Sequence, residues 1–264
     1  MRNKILIYND YGTNDTSYLQ NSLKEYFKSE KISISTISAD EIIQTDKLND
    51  EVLAFFMPGG RATPYMEKLK HRGNQKISEY VANGGVYFGI CAGAYYASRK
   101  VYFETDIKET SIIQQCGLNL IDADAVGTLR KELNLSPYGM NMDCYAAPKI
   151  RWLADNEIHH ASYHGGPYFV AHGPSKFKVL AEYIINNQKL PAAVMQSHGK
   201  GFAIASGIHI EYTGKSLRMV LENCGKITSH ARQMLQDLEQ NEPSRQALFN
   251  KMMQNLQNKK LIAK

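Results

Sequence analysis

The chain has 264 residues, of which 43% are hydrophobic and 22% charged; this is a globular composition and excludes a disordered or fibrous protein. No apolar run approaches the roughly 18 residues that a membrane-spanning helix needs. The first ten residues hold only a short apolar run, too short for the apolar core of a signal peptide. We therefore expect a cytoplasmic protein that makes no contact with a membrane.

The net charge of +5 is concentrated at one end of the chain. Residues 226–264 carry seven Lys or Arg against three Asp or Glu, a net charge of +4, whereas the first 225 residues carry 24 basic and 23 acidic side chains. A nearly neutral body argues against a general face that binds a nucleic-acid backbone. Nucleic acid is therefore not a predicted partner.

The first half of the chain alternates short apolar runs with segments of helical periodicity. Strands are predicted at 4–8, 32–36, 52–57 and 86–90, and helices at 16–27 and 74–81. Strands that alternate with helices form β-α-β units around a mostly parallel sheet, covered on both faces. The predicted fold class is therefore α/β, with three layers.

The second half of the chain has a different pattern of predicted elements. Strands are predicted at 162–171, 177–184, 192–196 and 202–206, partly antiparallel, and apolar stripes predict two helices around 227–238 and 248–256. We expect an α/β domain at 1–225 and a C-terminal helical hairpin at 226–264. The apolar stripes of this hairpin are more typical of packing surfaces than of a cofactor site, and they suggest a protein partner or a homo-oligomer as one use.

The most informative motif is Gly-Ile-Cys-Ala-Gly at 89–93, which follows an apolar strand. A Gly-x-Cys-x-Gly sequence between a strand and a helix is the cysteine form of a nucleophile elbow. The flanking glycines allow the sharp turn, and the start of the following helix favours a thiolate. We interpret Cys91 as a reactive nucleophile. The alternative is a buried structural cysteine on a glycine-rich turn.

A cysteine nucleophile needs a base and a group that orients the base. In the segment His209-Ile210-Glu211 the alternation of an extended chain places His209 and Glu211 on one side, where Glu211 can accept from the imidazole. Such pairs are also common without function. Here the pair follows a predicted strand, which would bring it to the edge of the sheet beside Cys91.

A third motif, Pro-Gly-Gly-Arg at 58–61, ends another buried strand. Its backbone N–H groups near Gly59 and Gly60, with that of Ala92, would form an oxyanion hole. A plain turn is the alternative. The four cysteines are predicted to be free, and no Cys/His spacing predicts a metal site or a cofactor.

Five further residues are assigned to the substrate pocket or its mouth. Arg61 could bind a substrate carboxylate, and Asp10 ends the first strand at the same sheet edge. Tyr163, Gly165 and Gly166 belong to a Gly-Gly-Pro turn between strands. For each of them a purely structural or solvent-exposed position is the alternative.

Together these motifs resemble the class I glutamine amidotransferase-like superfamily, whose fold is flavodoxin-like. The segments 91–98, 163–169 and 207–211 resemble one family within it, the N-terminal domain of biotin-protein ligases, over about residues 4–225. The resemblance implies Cys91 as nucleophile, His209 as base and Glu211 as its carboxylate. Ile210 stands where the usual amidotransferase pattern has proline, and no Gly-Arg-Gly-Arg motif of a biotin ligase is present.

The predicted function is that of a cysteine hydrolase or amidotransferase-like enzyme acting on an amide or acyl small molecule, without biotin-ligase activity of its own. The alternative is a non-catalytic module that binds a ligand or a protein and retains the fold. The complete set of Cys, His and Glu favours the enzyme. The lack of an attached synthetase domain to receive ammonia favours the binding module.

Overall fold

The computed structural model describes residues 2–139, 141–186 and 188–262, with side chains up to residue 257. Short extended segments dominate the second half. The strands are β1 (Lys4–Tyr8), β2 (Ser33–Ile37), β3 (Val52–Met57), β4 (Val86–Ile90), β5 (Ser98–Phe103), β6 (Ile112–Gln115), β7 (Ile121–Gly127), β8 (Tyr145–Ala146), β9 (Lys149–Trp152), β10 (Ile158–His160), β11 (Tyr163–His164), β12 (Tyr168–Ala171), β13 (Lys178–Ile185), β14 (Gln188–His198) and β15 (Gly201–Ser206).

The helices are α1 (Ser17–Tyr26), α2 (Ala39–Gln44), α3 (Ala62–Ala82), α4 (Ala92–Ala97), α5 (Gly214–Cys224), α6 (Ser229–Gln240) and α7 (Glu242–Ile262). The helix predicted at 74–81 is the second part of α3, which bends at Lys70, where φ is 50°. The sequence prediction missed α2, although a capping box between Ser38 and Glu41 marks its start.

The main sheet has the order β10-β9-β13-β14-β15-β4-β3-β1-β2. Strands β2, β1, β3, β4 and β15 run parallel, and the other four extend the sheet in antiparallel fashion. The carboxyl ends of β3, β4 and β15 therefore meet at one edge. This is the edge at which the three predicted motifs were expected to converge.

Alternation along the parallel strands sends apolar side chains to both faces of the sheet. On one face, Ile5 and Phe56 pack with α1 and α7, and on the other, Leu6 and Phe55 pack with α2 and α3. Burial on both faces explains why these strands read as continuous apolar runs. The three-layer α/β prediction is confirmed.

A second, four-stranded sheet of order β12-β7-β5-β6 packs on the α3 side of the main sheet. The sequence did not predict it. The strand predicted at 162–171 is divided into β11 and β12, because Gly165-Gly166-Pro167 interrupts it and the two parts join different sheets. The strand predicted at 177–184 overlaps β13 and begins one residue before it, and the strands predicted at 192–196 and 202–206 lie within β14 and β15.

The predicted C-terminal helices are present as α6 and α7, but α7 does not stand apart from the sheet. Its apolar residues belong to the same core as α1 and β1. They are fully buried within the chain: Leu248, Phe249, Met252, Met253 and Leu256. The stripe that suggested a partner or an oligomer is therefore covered internally. The domain boundary at residue 225 stays a prediction.

None of the helices in the described ranges combines the length and the apolar character that crossing a bilayer requires. Cys91, Cys116, Cys144 and Cys224 are all free thiols. Over the described part of the chain, no group of three or more His, Cys, Asp or Glu side chains is arranged to hold a metal ion.

Candidate active site

Cys91 lies in a sharp turn between β4 and α4, with φ 49° and ψ −103°, a backbone conformation that non-glycine residues rarely adopt. Its N–H donates to the carbonyl oxygen of Ser206 at 2.8 Å, which joins the turn to the end of β15. A Cβ at Gly89 would lie 2.4 Å from the oxygen of Gly93, and one at Gly93 would lie 2.0 Å from the oxygen of Met57. Both flanking positions therefore require glycine, as the elbow motif predicts.

His209 and Glu211 follow β15 at the same sheet edge. The His209 N–H donates to the carbonyl oxygen of Ser162 at 2.8 Å, which holds the segment extended. Nδ1 of His209 lies 2.7 Å from Oε1 of Glu211, and the two residues are only 2% and 6% exposed. This is the arrangement in which a carboxylate sets the tautomer and the orientation of a general base.

Gly59 lies beside both His209 and Cys91. A Cβ at Gly59 would lie 2.6 Å from Cε1 of His209 and 3.7 Å from Cβ of Cys91, so the histidine and the cysteine border the same small space. Burial lowers the pKa of His209, but the negative charges of Glu211 and Cys91 outweigh it and raise this pKa well above its ordinary value. The imidazole is thus stabilised in its protonated form beside the thiol, and this form favours a thiolate.

The second nitrogen of His209, Nε2, is buried, and no described residue forms a hydrogen bond with it. It is therefore free to exchange a proton with the thiol or with a substrate. Two backbone donors near Cys91 are also available, because the N–H groups of Gly60 and Ala92 have no acceptor among the described residues. The N–H of Arg61 is occupied, since it donates to the oxygen of Gly12 at 2.9 Å. The pair Gly60 and Ala92 fits an oxyanion hole.

His164, which was not among the predicted site residues, borders the site. Its ring is stacked between those of Tyr145 and Tyr138, with centroids 3.8 Å and 4.7 Å away, and its carbonyl oxygen accepts from Sγ of Cys91 at 3.5 Å. Burial and the positive charge of His209 lower its pKa to about 3. His164 is therefore neutral, and its ring packs between the two tyrosine rings and does not act as a second base.

The structure does not place Tyr163 at the pocket mouth. Its side chain is fully buried, and its hydroxyl accepts from the N–H of Leu129 at 2.7 Å and donates to the oxygen of Gly166 at 3.0 Å. A tyrosine that satisfies its hydroxyl inside the core stabilises the turn. The structural alternative applies to Tyr163.

The two glycines of this turn have different positions. Gly165, with φ 70°, lines the cavity that Cys91 faces, and its oxygen accepts from the hydroxyl of Tyr95 at 3.0 Å. Gly166 lines neither of the cavities described below. A Cβ there would lie 1.8 Å from the oxygen of Gly207, so Gly166 allows a close backbone approach.

Of the remaining predicted pocket residues, Arg61 is at the site and Asp10 is not. The exposed Arg61 guanidinium lies 5.4 Å from the ring centroid of Tyr11 and lines the cavities on either side of it. Asp10 lines neither cavity. Its carboxylate accepts from the N–H of Ala39 at 3.0 Å at the start of α2 and from the N–H of Tyr11 at 2.6 Å.

Two cavities flank this group of residues. One, of about 670 Å³, is lined by Cys91, Ala92 and Gly165, and the other, of about 630 Å³, is lined by His209. We name them the cysteine cavity and the histidine cavity. Three residues line both: Gly60, Arg61 and Tyr138. The nucleophile and its base thus line different cavities, and we name the three shared residues the partition.

Solved structures support the fold. A glutamine amidotransferase from Thermotoga maritima superposes with a TM-score of 0.62 at 14% identity, covering 97% of this chain and 98% of that one. Another glutamine amidotransferase structure gives a TM-score of 0.52 at 17% identity, over 83% of this chain and 97% of the other. At such low identity these likenesses establish the architecture alone.

Sequence relatives point to one family. An uncharacterised protein of Chlamydia muridarum is 26% identical over 236 residues, covering 88% of each chain. A biotin–protein ligase of Schizosaccharomyces pombe is 25% identical over 220 residues, which are 80% of this chain but 34% of the ligase. The chain thus corresponds to about a third of that ligase. The family model described as "Biotin-protein ligase, N terminal" matches residues 3–261. The chain therefore belongs to the biotin-protein ligase N-terminal family, within the glutamine amidotransferase-like fold.

Proposed function

We propose that this protein is a thiol-dependent acyl-transfer enzyme, a hydrolase or amidotransferase-like protein that acts on an amide or related acyl small molecule. The observation that carries the proposal is the convergence of three side chains. Cys91 occupies a strained elbow, and the buried His209, paired with Glu211 at 2.7 Å, borders the same space as the cysteine. A structural cysteine needs neither a buried base nor a carboxylate behind that base.

In the first step the thiolate of Cys91, whose proton His209 holds, attacks the substrate carbonyl carbon. The carbonyl oxygen becomes an oxyanion, which the N–H groups of Gly60 and Ala92 stabilise. When the carbon–nitrogen bond breaks, His209 gives its proton to the leaving amine. The acyl group remains on Cys91 as a thioester.

In the second step water, or another amine, attacks the thioester. His209 takes a proton from the attacking group, the carbon–sulfur bond breaks, and the sulfur of Cys91 leaves as the thiolate. Glu211 stabilises the imidazolium in both steps. We do not assign biotin transfer to this chain, since the Gly-Arg-Gly-Arg motif is absent from its sequence.

The test is intact-protein mass spectrometry after incubation with activity-based acyl probes and with cell extract. The enzyme predicts one acyl adduct on Cys91 that is lost in Cys91→Ala and retained in Cys224→Ser, a matched control at an exposed thiol. If no adduct forms at Cys91 with any probe, while a ligand binds equally well to the Cys91→Ser variant, the non-catalytic binding module replaces the enzyme.

A further inference from the structure

The two cavities divide the reacting groups of the site. Cys91 and the oxyanion donor Ala92 line the cysteine cavity, whereas His209 lines the histidine cavity. Gly60, the other oxyanion donor, lies in the partition with Arg61 and Tyr138. A carbonyl placed for attack therefore lies at the partition, with one part of the substrate on each side.

The chemistry of the proposed reaction assigns these parts. The acyl part stays bound to the sulfur of Cys91, so it occupies the cysteine cavity. The leaving amine takes its proton from His209, and proton transfer requires the two nitrogens to come within hydrogen-bond distance. The amine part therefore extends into the histidine cavity.

The walls of the histidine cavity are mainly aromatic and apolar. The stacked rings of Tyr138, His164 and Tyr145 form one wall. Helix α5 forms another with Leu217, Val220 and Leu221. Tyr18 and Tyr212 also line this cavity. Aromatic and apolar walls of this kind favour the binding of an aromatic or apolar group over that of a small polar group.

We propose that the histidine cavity binds the amine part of the substrate, and that this amine carries an aromatic or apolar group. The inference rests on the proposed function, because it uses Cys91 and His209 in their acyl-transfer roles. Ammonia would leave most of a cavity of about 630 Å³ unfilled. The enzyme is therefore expected to release or accept a bulky amine in preference to ammonia.

The test uses the second step of the reaction with two amines. S-methyl thioacetate transfers its acetyl group to the sulfur of Cys91 and releases methanethiol. The loss of the acetyl group from the enzyme is then followed by intact mass in the presence of 2-phenylethylamine or ammonia at equal free-base concentration. We expect 2-phenylethylamine to accelerate deacylation in a saturable manner, at least about tenfold more than ammonia, with N-acetyl-2-phenylethylamine as product. The rate at which each amine reacts in solution with the acetyl thioester of N-acetylcysteine corrects for the difference in their intrinsic reactivity.

Two variants on one helix locate the effect. Val220→Trp fills the histidine cavity and is expected to remove the acceleration by 2-phenylethylamine, whereas Met219→Trp, at a residue 53% exposed on α5, should retain it. If Val220→Trp does not fold, the comparison of the two amines on the unaltered protein still tests whether the enzyme prefers a bulky amine. If both amines accelerate deacylation equally after the correction for solution reactivity, the inference about the amine is overturned but the proposed function is not. Failure of Cys91 to acetylate would overturn the proposed function and the inference with it.

Discussion

Nη1 of Arg245 donates a 2.6 Å hydrogen bond to the carbonyl oxygen of Ile210, the residue between His209 and Glu211. Arg245 lies near the start of α7 and is 2% exposed. Its Nε and Nη2 also donate to Oε1 of Glu242, at 2.8 Å and 2.7 Å. A helix near the C-terminus thus holds the backbone from which the proposed base and its carboxylate project.

The variant Arg245→Met tests this positioning. It retains apolar volume but removes every donor, leaving the oxygen of Ile210 without its partner and the charge of Glu242 less compensated. We expect a loss of about 2–4 kcal/mol in the free energy of unfolding, measured with urea. Because the His209 segment loosens, the pH profile of Cys91 alkylation should also shift.

Arg218→Met is the matched control, because Arg218 pairs with Glu239 on the surface. An exposed ion pair contributes about 0–1 kcal/mol, so this variant should change little. An Arg245→Met protein that loses stability but keeps the alkylation profile unchanged would show that the arginine is structural only.

Gly93→Ala tests the steric requirement of the elbow. The new Cβ would lie 2.0 Å from the oxygen of Met57, a backbone atom that cannot move aside without displacing β3. We expect a destabilisation of at least about 2 kcal/mol by thermal or urea unfolding. Gly139→Ala, where a Cβ meets nothing within 4 Å, is the control and should lose far less. Equal losses would contradict the close approach at Gly93.

His164→Phe tests the neutral state of the stacked ring. The pKa of His164 is lowered to about 3 in the folded protein, from 6.5, so between these pH values only the unfolded chain binds the proton. The contribution of this residue to stability is complete above pH 6.5 and falls by about 1.4 kcal/mol for each unit of pH below it. Phe retains the stacking and does not titrate.

The unfolding free energy of the original protein, minus that of His164→Phe, should therefore decrease as the pH falls from 7 to 4.5. Urea titrations at four or five pH values measure this difference, and acidic groups common to both proteins cancel. A difference that is constant with pH would show that His164 titrates normally in the folded state.

Glu211→Gln tests what raises the pKa of His209. Glu211 supplies a negative charge at 2.7 Å from Nδ1, and the neutral amide removes it while keeping the shape. With less opposition to the effect of burial, the pKa of His209 should fall. NMR of the labelled imidazole measures the titration. An unchanged pKa in Glu211→Gln would assign the rise to Cys91 alone.

The elbow and the fold class could be predicted from the sequence because their signals are local. Gly89, Cys91 and Gly93 are neighbours in the chain, and the turn they form is decided by contacts within a few residues and one strand. The pairing of His209 with Glu211 is also local, since it needs only an extended segment. Strands that are buried on both faces of a sheet can likewise be recognised from the local sequence alone, because they are continuous apolar runs.

The parts that could not be predicted depend on contacts between distant segments. Nothing near Arg245 in the sequence indicates that it reaches the oxygen of Ile210, and nothing near His164 indicates two tyrosines around its ring. Tyr163 was assigned to the pocket because it adjoins a glycine-rich turn, but its hydroxyl is satisfied by Leu129, 34 residues earlier. Asp10 was assigned by its strand end, yet its carboxylate accepts from the start of α2.

The most direct test of the proposed chemistry is the rate at which iodoacetamide alkylates Cys91, measured at neutral pH by mass spectrometry of the peptide that contains it. Cys224, an exposed thiol at the end of α5, serves as the internal reference. With His209 in place, Cys91 should react faster than a free thiol, and His209→Ala should slow it by roughly tenfold or more. A rate at Cys91 that His209→Ala leaves unchanged would contradict the assignment of His209 as the base.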